Sequence, residues 1–143
     1  MEKNEYLLEV KGLKKYFKVG KGTLKAVDDV SFYIRPGETL GVVGESGCGK
    51  SITSLSIMGL VETPPGIHAG GEILFAGEDL LKKNEDQMRQ IRGNKVAMIF
   101  QEPMTSLNPV FTIGQQLMEA ILLHENVTKQ QAREKGIEML KKV

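Results

Sequence analysis

The chain has 143 residues, a length typical of one ordinary domain or of part of a larger one. Its 19 basic and 18 acidic residues give a formal net charge of +1, so overall charge does not point to nucleic acid as a partner. Cys48 is the single cysteine, which excludes an intrachain disulfide and fits a reducing compartment. No run approaches the roughly 20 apolar residues of a membrane span, and the first residues show no signal-peptide pattern, so any link to a membrane is expected to go through a partner.

Three early segments have apolar residues two positions apart, with polar residues between them. Their apolar members are Leu8 and Val10, then Val30, Phe32 and Ile34, then Ile73 and Phe75. This period predicts antiparallel strands with one face in water. Turn-forming residues follow two of these segments, at 35–38 and 76–79.

Two other apolar runs do not alternate, TLGVV at 39–43 and VAMIF at 96–100. Continuous apolar runs of this length predict strands buried on both faces, as in a parallel sheet covered by helices. A helix is expected over 49–60, and the prolines and glycines of 62–71 predict irregular structure there. A short helix is expected over 84–93, ended by its final glycine.

Two capping boxes mark the last third of the chain, Thr112-x-x-Gln115 and Thr128-x-x-Gln131. Each is followed by apolar residues at helical spacing. They are Ile113, Leu117, Ala120 and Ile121 after the first, and Ala132, Gly136, Met139, Leu140 and Val143 after the second. Because the second pattern continues to the last residue, the chain is expected to be the N-terminal portion of a larger domain.

The stretch GESGCGKS, which ends at Ser51, has the spacing G-x-x-x-x-G-K-[ST] of a phosphate-binding loop. Gly44, Gly47 and Gly49 let the backbone curl so that successive N–H groups point inward at a helix N-terminus. Lys50 supplies positive charge to the β- and γ-phosphates, and Ser51 offers a hydroxyl to Mg²⁺, which prefers oxygen ligands. A buried strand before the loop and a helix after it make the motif specific, so the sequence predicts nucleotide binding.

Cys48 lies inside this loop, where a thiol has two interpretations. A catalytic cysteine needs a base, and no histidine lies near Cys48 in the sequence. We therefore interpret Cys48 as a small filler whose backbone N–H contributes to the phosphate site.

Gln101 comes directly after the second buried run, at the edge where α/β sheets bind ligands. Its amide there can hold a metal ion or a metal-bound water, although a glutamine that merely ends a strand leaves the same pattern. Glu102 is a rival candidate, as the base that follows the hydrolytic strand of a nucleotidase. That motif requires aspartate directly after the apolar run, where this chain has Gln101, so we reject it.

Three segments together resemble the ATP-binding subunits of ABC transporters: VKGLKKYFKVGKGTLKAVDDVSFYIRPGETLGVVGESG, GESGCGKS and VAMIFQEPMTSLNPVFTIGQQL. The SLNP of the last segment is similar to the subgroup that serves dipeptide, oligopeptide and nickel importers. The resemblance covers nearly the whole chain and implies the α/β fold of a P-loop NTPase. An antiparallel β-subdomain and the nucleotide-binding core, with part of a parallel sheet, would occupy residues 1–111. The start of the helical subdomain would occupy residues 112–143.

The resemblance also implies roles for single residues. The phosphate loop would comprise Gly44, Glu45, Ser46, Gly47, Cys48, Gly49, Lys50 and Ser51. Gln101 matches the glutamine loop, which contacts the Mg²⁺ site and couples it to the membrane subunits. Lys50 and Gln101 are thus the expected catalytic residues, and Ser51 and Gln101 the expected metal ligands.

Two further positions concern the adenine ring and the α-phosphate of the nucleotide. Phe17 matches the aromatic residue that stacks on adenine, with Tyr16 beside it as the fallback. Ile52 stands where many members have threonine or serine, so its backbone N–H remains available to the α-phosphate but a side-chain hydrogen bond does not.

ATP and Mg²⁺ are the cofactors that the resemblance implies. The partners would be a second ATPase subunit, membrane permease subunits and, indirectly, an extracytoplasmic solute-binding protein. The parent protein is expected to lie peripherally on the cytoplasmic face of the membrane, where its ATP hydrolysis drives import of a small solute such as a di- or oligopeptide. No nucleic-acid partner is expected, because the lysines between Lys11 and Lys25 are interpreted as a solvated face.

The family's signature motif, magnesium aspartate, catalytic glutamate, D-loop and switch histidine have no match in these 143 residues. In the family, the signature of one subunit completes the ATP site of the other, so the chain alone is expected to be inactive. Two alternatives stay open: an ABC ATPase not tied to transport, and a fragment that holds nucleotide without turning it over.

Overall fold

The computed structural model describes residues 5–102 and 106–143. Its strands are β1 (Leu8–Val19), β2 (Gly22–Ile34), β3 (Gly66–Phe75) and β4 (Glu78–Asp79), with a 3-10 turn at Leu80–Lys82. Its helices are α1 (Lys50–Ile57), α2 (Glu85–Ile91), α3 (Ile113–His124) and α4 (Lys129–Lys142). The chain forms two compact units, the first ending at Met88 and the second beginning at Arg89.

The first unit is built on one antiparallel sheet with the strand order β2-β1-β3-β4. Leu8 pairs with Ile34 on one side and with Phe75 on the other, so β1 lies between β2 and β3 in the sheet. The three alternating segments are therefore confirmed as strands. Their inward side chains form the core, in which Val10, Leu13 and Ile73 are almost fully buried.

The register of β1 shifts at several points, and one shift changes the environment of a lysine. The irregular pairing between Val10 and Leu13, which are three residues apart, places both on the buried side. Lys15 comes two residues after Leu13 and so lies on the same side. Lys15 is only 8% exposed, and desolvation lowers the pKa of its amine. The prediction of a solvated lysine face is thus wrong at Lys15, because the irregularity before Leu13 resets the alternation.

Helix α1 follows the phosphate loop as predicted and packs against β1 and β2, with Ser56 and Met58 buried. The prediction of irregular structure over 62–71 is wrong for its second half. Residues 62–65 are outside any strand, but Gly66 and Gly70 pair with Phe17 and Lys14 of β1. Pairing with a central strand outweighs the low strand propensity of these glycines.

The two continuous apolar runs do not form the predicted buried strands. Residues 39–43 and 97–100 have no regular secondary structure, and Val96 makes only an isolated bridge with Arg92. Val43 is 96% exposed and Ile99 is 98% exposed. A strand forms only where a neighbour supplies hydrogen-bond partners, and neither run belongs to the sheet of the described residues.

The second unit contains the two helices that the capping boxes predict. Both capping boxes are formed, with Thr112 and Thr128 as the N-caps of α3 and α4. The two helices pack together through buried Ile121, Ala132 and Gly136. None of the helices in the described ranges is long and apolar enough to cross a membrane.

Candidate nucleotide-binding site

The phosphate loop leads directly into α1, and two of its glycines have a left-handed backbone. Gly47 has φ 81° and Gly49 has φ 93°, a region that side chains strongly disfavour. A Cβ atom on Gly49 would also lie 2.4 Å from the carbonyl oxygen of Ala26 in β2. Glycine at this position therefore lets the loop lie against the sheet while it turns into the helix.

The N-terminus of α1 has no side-chain cap. Its N-cap residue is Gly49, and its first turn contains no acidic residue. The first backbone N–H groups of a helix have no partner within the helix, and the helix dipole adds positive potential at this end. The end of the loop is therefore suited to an anion such as phosphate.

Lys50 lies over the loop and is held there by two backbone carbonyl groups. Its Nζ donates hydrogen bonds to the oxygens of Gly44 and Glu45, each at 2.7 Å. It also lies 3.5 Å from the Sγ of Cys48. The ammonium charge is thus placed at the loop itself, next to the end of α1, where it adds to the attraction for an anion.

Cys48 fills space that a larger residue at Gly44 would take. A Cβ atom on Gly44 would lie 2.5 Å from the Sγ of Cys48. The Cys48 residue is nevertheless exposed to solvent. The geometry is compatible with its interpretation as a small filler, and it leaves the thiol accessible to a reagent.

The loop and the first strands line one cavity of about 290 Å³. Phe17, Leu24 and Ala26 contribute its apolar part, and residues 47–52 contribute the loop and the start of α1. Phe17 and Leu24 are cross-strand partners in β1 and β2. The structure thus brings Phe17 together with the phosphate loop in a single site.

Leu24 and Ala26 are lining residues that the sequence reasoning missed. The signal was present, because the turn between Val19 and Gly22 fixes the β1–β2 register and so places Leu24 opposite Phe17. Strand pairing would have extended the predicted site to β2.

Tyr16, the fallback for the adenine contact, has other partners. Its hydroxyl donates a hydrogen bond to Asp28 at 2.5 Å, and the Lys25 amine lies 5.5 Å from its ring centre. The hydrogen bond to Asp28 raises the pKa of the Tyr16 hydroxyl, and the same bond lowers the pKa of the Asp28 carboxyl. Tyr16 is absent from the cavity lining, so the geometry favours Phe17.

Gln101 belongs to the second unit, where Phe100, Gln101, Glu102 and Ser106 line an open depression. Gln101 and Glu102 are both exposed. The role of Gln101 as a ligand of the metal site stays a prediction. Residues 103–105, which belong to the family-like segment after it, lie outside the described residues.

A magnesium ion bound with ATP would fit the donors of the loop. Ser51 is exposed at the start of α1 and lines the same cavity as Lys50, so its hydroxyl can provide an oxygen ligand. Within residues 5–102 and 106–143 there is no group of three or more His, Cys, Asp or Glu side chains that could hold a metal alone. The expected ligands are therefore the Ser51 hydroxyl, phosphate oxygens and water, with Gln101 as the further ligand that the sequence predicts.

A phosphate loop on a helix N-terminus, joined to an apolar cavity at the edge of an antiparallel sheet, defines a nucleotide-binding protein of the P-loop class. The model of the ABC transporter family matches residues 27–143, which is most of the chain. The protein is thus a member of the ABC transporter family, as the sequence resemblance indicated.

Two curated relatives illustrate the similarity. The oligopeptide transport ATP-binding protein AppD of Bacillus subtilis (strain 168) is 53% identical over 137 residues, which cover 96% of this chain and 42% of that protein. The probable peptide ABC transporter ATP-binding protein y4tR of Sinorhizobium fredii is 48% identical over 141 residues, covering 99% of this chain and 42% of that protein. The chain thus spans less than half the length of these relatives.

A solved structure supports the fold. The ATP-binding cassette MJ0796, in a dimeric post-hydrolysis state bound to ADP and Pi, matches with a TM-score of 0.80 at 24% identity. The match covers 94% of this chain and 56% of that one. The predicted fold class, an ABC-type cassette with an antiparallel β-subdomain and helices, is therefore confirmed, although the two runs predicted as parallel strands are not strands here.

Proposed function

We propose that the cavity between the phosphate loop and the β1–β2 hairpin binds ATP. The observation that carries this proposal is the position of the Lys50 ammonium, held over the loop at the uncapped end of α1 in the same cavity as Phe17. Adenine would stack on Phe17 beside Leu24. The phosphates would lie over the loop amides of residues 44–51, with Lys50 at the β- and γ-phosphates and the Ile52 N–H near the α-phosphate.

Magnesium would be held by the Ser51 hydroxyl and, in the complete site, by Gln101. Bound there with ATP, Mg²⁺ neutralises charge on the β- and γ-phosphate oxygens. Lys50 and the loop amides stabilise the same charge from the protein side. Gln101 would sense whether the γ-phosphate is present and transmit this to helices α3 and α4, which follow it in the chain.

The whole protein is proposed to use ATP hydrolysis to drive import of di- or oligopeptides. The relatives are named as ATP-binding proteins of peptide and oligopeptide transport, which supports this substrate class. Its partners would be a second ATPase subunit, membrane permease subunits and an extracytoplasmic solute-binding protein. It would act on the cytoplasmic face of the membrane.

The single thiol of the chain gives a direct test of the nucleotide site. Cys48 is exposed and lines the proposed cavity, so bound Mg-ATP should slow its labelling by a maleimide. The Lys50→Ala variant is the matched control, because it keeps the thiol but should lose the protection. Equal labelling rates with and without Mg-ATP in the unmodified chain would contradict the assignment of the site.

A second candidate is a chain that holds nucleotide weakly and turns none over. It is favoured by the exposure of Val43 and Ile99, because the runs before the loop and before Gln101 are not joined into a sheet by the described residues. Hydrolysis also needs a base near the attacking water, and we rejected Glu102 for that role. Robust Mg-ATP turnover by the 143-residue chain, abolished by Glu102→Gln, would overturn this second candidate.

A further inference from the structure

The segment before α3 is folded by the side chain of one residue in the helix, Gln116. Its Nε2 donates hydrogen bonds to the carbonyl oxygens of Asn108 and Phe111, each at 3.0 Å. Its Oε1 accepts a hydrogen bond from the backbone N–H of Asn108, also at 3.0 Å. Both ends of the amide group are therefore used on the same short stretch of chain.

The same stretch is closed by local hydrogen bonds. The Asn108 side chain accepts from the Val110 N–H at 3.0 Å, and the Phe111 N–H donates to the Asn108 carbonyl at 3.3 Å. Leu107, Val110 and Phe111 are 53%, 82% and 55% exposed, so apolar burial contributes little to holding the stretch. Hydrogen bonds, with Gln116 at their centre, fix its conformation.

We propose that Gln116 is a positioning residue that joins residues 108–111, downstream of Gln101 in the chain, to helix α3 through these hydrogen bonds, which we call the clamp. When these hydrogen bonds are formed, a displacement of residues 108–111 also moves α3, because the two are not joined by a flexible connection. The inference rests on the proposed function, in which Gln101 responds to nucleotide and the helical hairpin passes that response to membrane subunits.

The neighbouring Gln115 offers a matched comparison, since it uses its side chain differently. Its Oε1 accepts from the N–H and the hydroxyl of Thr112, at 2.9 and 3.0 Å, in the capping box. A carboxylate accepts equally well there, and glutamate is a usual residue in this box. Gln116, in contrast, must donate to two carbonyl oxygens, which a carboxylate cannot do.

The pair Gln116→Glu and Gln115→Glu therefore separates the clamp from general effects of charge and helix stability. In Gln116→Glu the two donated hydrogen bonds are lost and the carboxylate is repelled by the carbonyl oxygens of Asn108 and Phe111, so the whole stretch should open more often. We therefore expect hydrogen exchange at the amides of Asn108 and Val110 to accelerate by roughly tenfold, the effect of losing about one net hydrogen bond. Gln115→Glu should leave these rates within about twofold, because its capping interaction survives. Wild-type exchange rates in Gln116→Glu would overturn the clamp.

The positioning role is tested in the assembled transporter, with the subunit in its natural length and its membrane subunits in proteoliposomes. The readout is the ratio of Mg-ATP turnover in the complex to turnover by the detached subunit. Gln116→Glu should bring this ratio close to one while detached turnover stays within about twofold of wild type, and Gln115→Glu should keep the wild-type ratio. A wild-type ratio in Gln116→Glu would overturn the role. If the wild-type complex showed no turnover, the proposed function would fail, whereas the exchange result would still decide whether Gln116 is a clamp.

Discussion

The phosphate loop lies in the first unit and residues 108–111 lie in the second, and the two stretches are held in place in different ways. The loop is fixed by distant parts of the chain, since Gly49 lies against Ala26 of β2 and α1 packs on the sheet. Residues 108–111 are fixed by near neighbours, through the hydrogen bonds of Asn108 with Gln116 and the capping box of α3. Substitutions that loosen the phosphate loop should therefore change nucleotide binding, and substitutions that loosen residues 108–111 should change the response to bound nucleotide.

The largest loss of Mg-ATP affinity is expected from a substitution at Gly49. In Gly49→Ala the new Cβ would lie 2.4 Å from a backbone oxygen, and the left-handed conformation alone costs about 1–2 kcal/mol. The loop should move away from β2, and Mg-ATP affinity measured by calorimetry should fall by roughly a hundredfold or more, equivalent to about 2.8 kcal/mol.

Gly47→Ala is the matched control for this variant. Gly47 also has a left-handed backbone, with φ 81°, but a Cβ there would meet nothing within 4 Å. Its loss of affinity should be clearly smaller. Equal losses in the two variants would show that contact with β2 does not hold the loop.

The next effect in size is at Lys50. Lys50→Ala removes a charge-assisted contact to phosphate worth about 1.5–3 kcal/mol, so affinity measured by calorimetry should fall at least tenfold. The fold should be preserved, because the Lys50 hydrogen bonds to Gly44 and Glu45 lie on an exposed surface. Lys82→Ala, in the same unit and away from the cavity, should keep wild-type affinity. Unchanged affinity in a folded Lys50→Ala variant would contradict the phosphate-loop assignment.

The parts of the structure that could be predicted from the sequence are those set by residues close together in the chain. The glycine spacing predicted the loop, and the Thr112 and Thr128 boxes predicted the starts of α3 and α4. The runs at 39–43 and 96–100 were predicted to be buried strands because their composition is apolar. Burial depends on which segments pair with them, and composition alone does not determine that.

The residues of the site also divide into those that a local motif predicts and those that depend on the pairing of distant segments. Lys50 and its loop could be found from a motif, whereas Leu24 and Ala26 enter the site through the β1–β2 register. The burial of Lys15 depends on an irregularity in β1 that breaks the alternation. The contacts of Gln116 depend on how the chain turns back before α3, which no local motif encodes.

Phe17 should have a moderate effect. Stacking of a base on an aromatic ring is worth about 1–3 kcal/mol, so Phe17→Ala should weaken Mg-ATP binding by about fivefold or more. Inorganic triphosphate lacks a base, and its affinity should be unchanged in a calorimetric titration of the same variant. Equal weakening for both ligands would indicate damage to the loop instead of loss of stacking.

The smallest effect is expected from Tyr16→Phe, which separates stability from binding within β1. The hydrogen bond from Tyr16 lowers the pKa of Asp28 below its ordinary value of 3.8, so its contribution to stability is present above that value and is lost as the pH falls through the folded-state pKa. The same bond raises the pKa of Tyr16 above 10.0, so that contribution is present below pH 10 and is lost as the pH rises through the raised value. Thermal midpoints should therefore differ between wild type and Tyr16→Phe from about pH 5 to pH 9 and converge towards acid.

Mg-ATP affinity should be unchanged, because Tyr16 does not line the cavity. Because Tyr16→Phe keeps the aromatic ring, the fallback is tested with Tyr16→Ala, in which a loss of affinity as large as that of Phe17→Ala would assign the adenine contact to Tyr16.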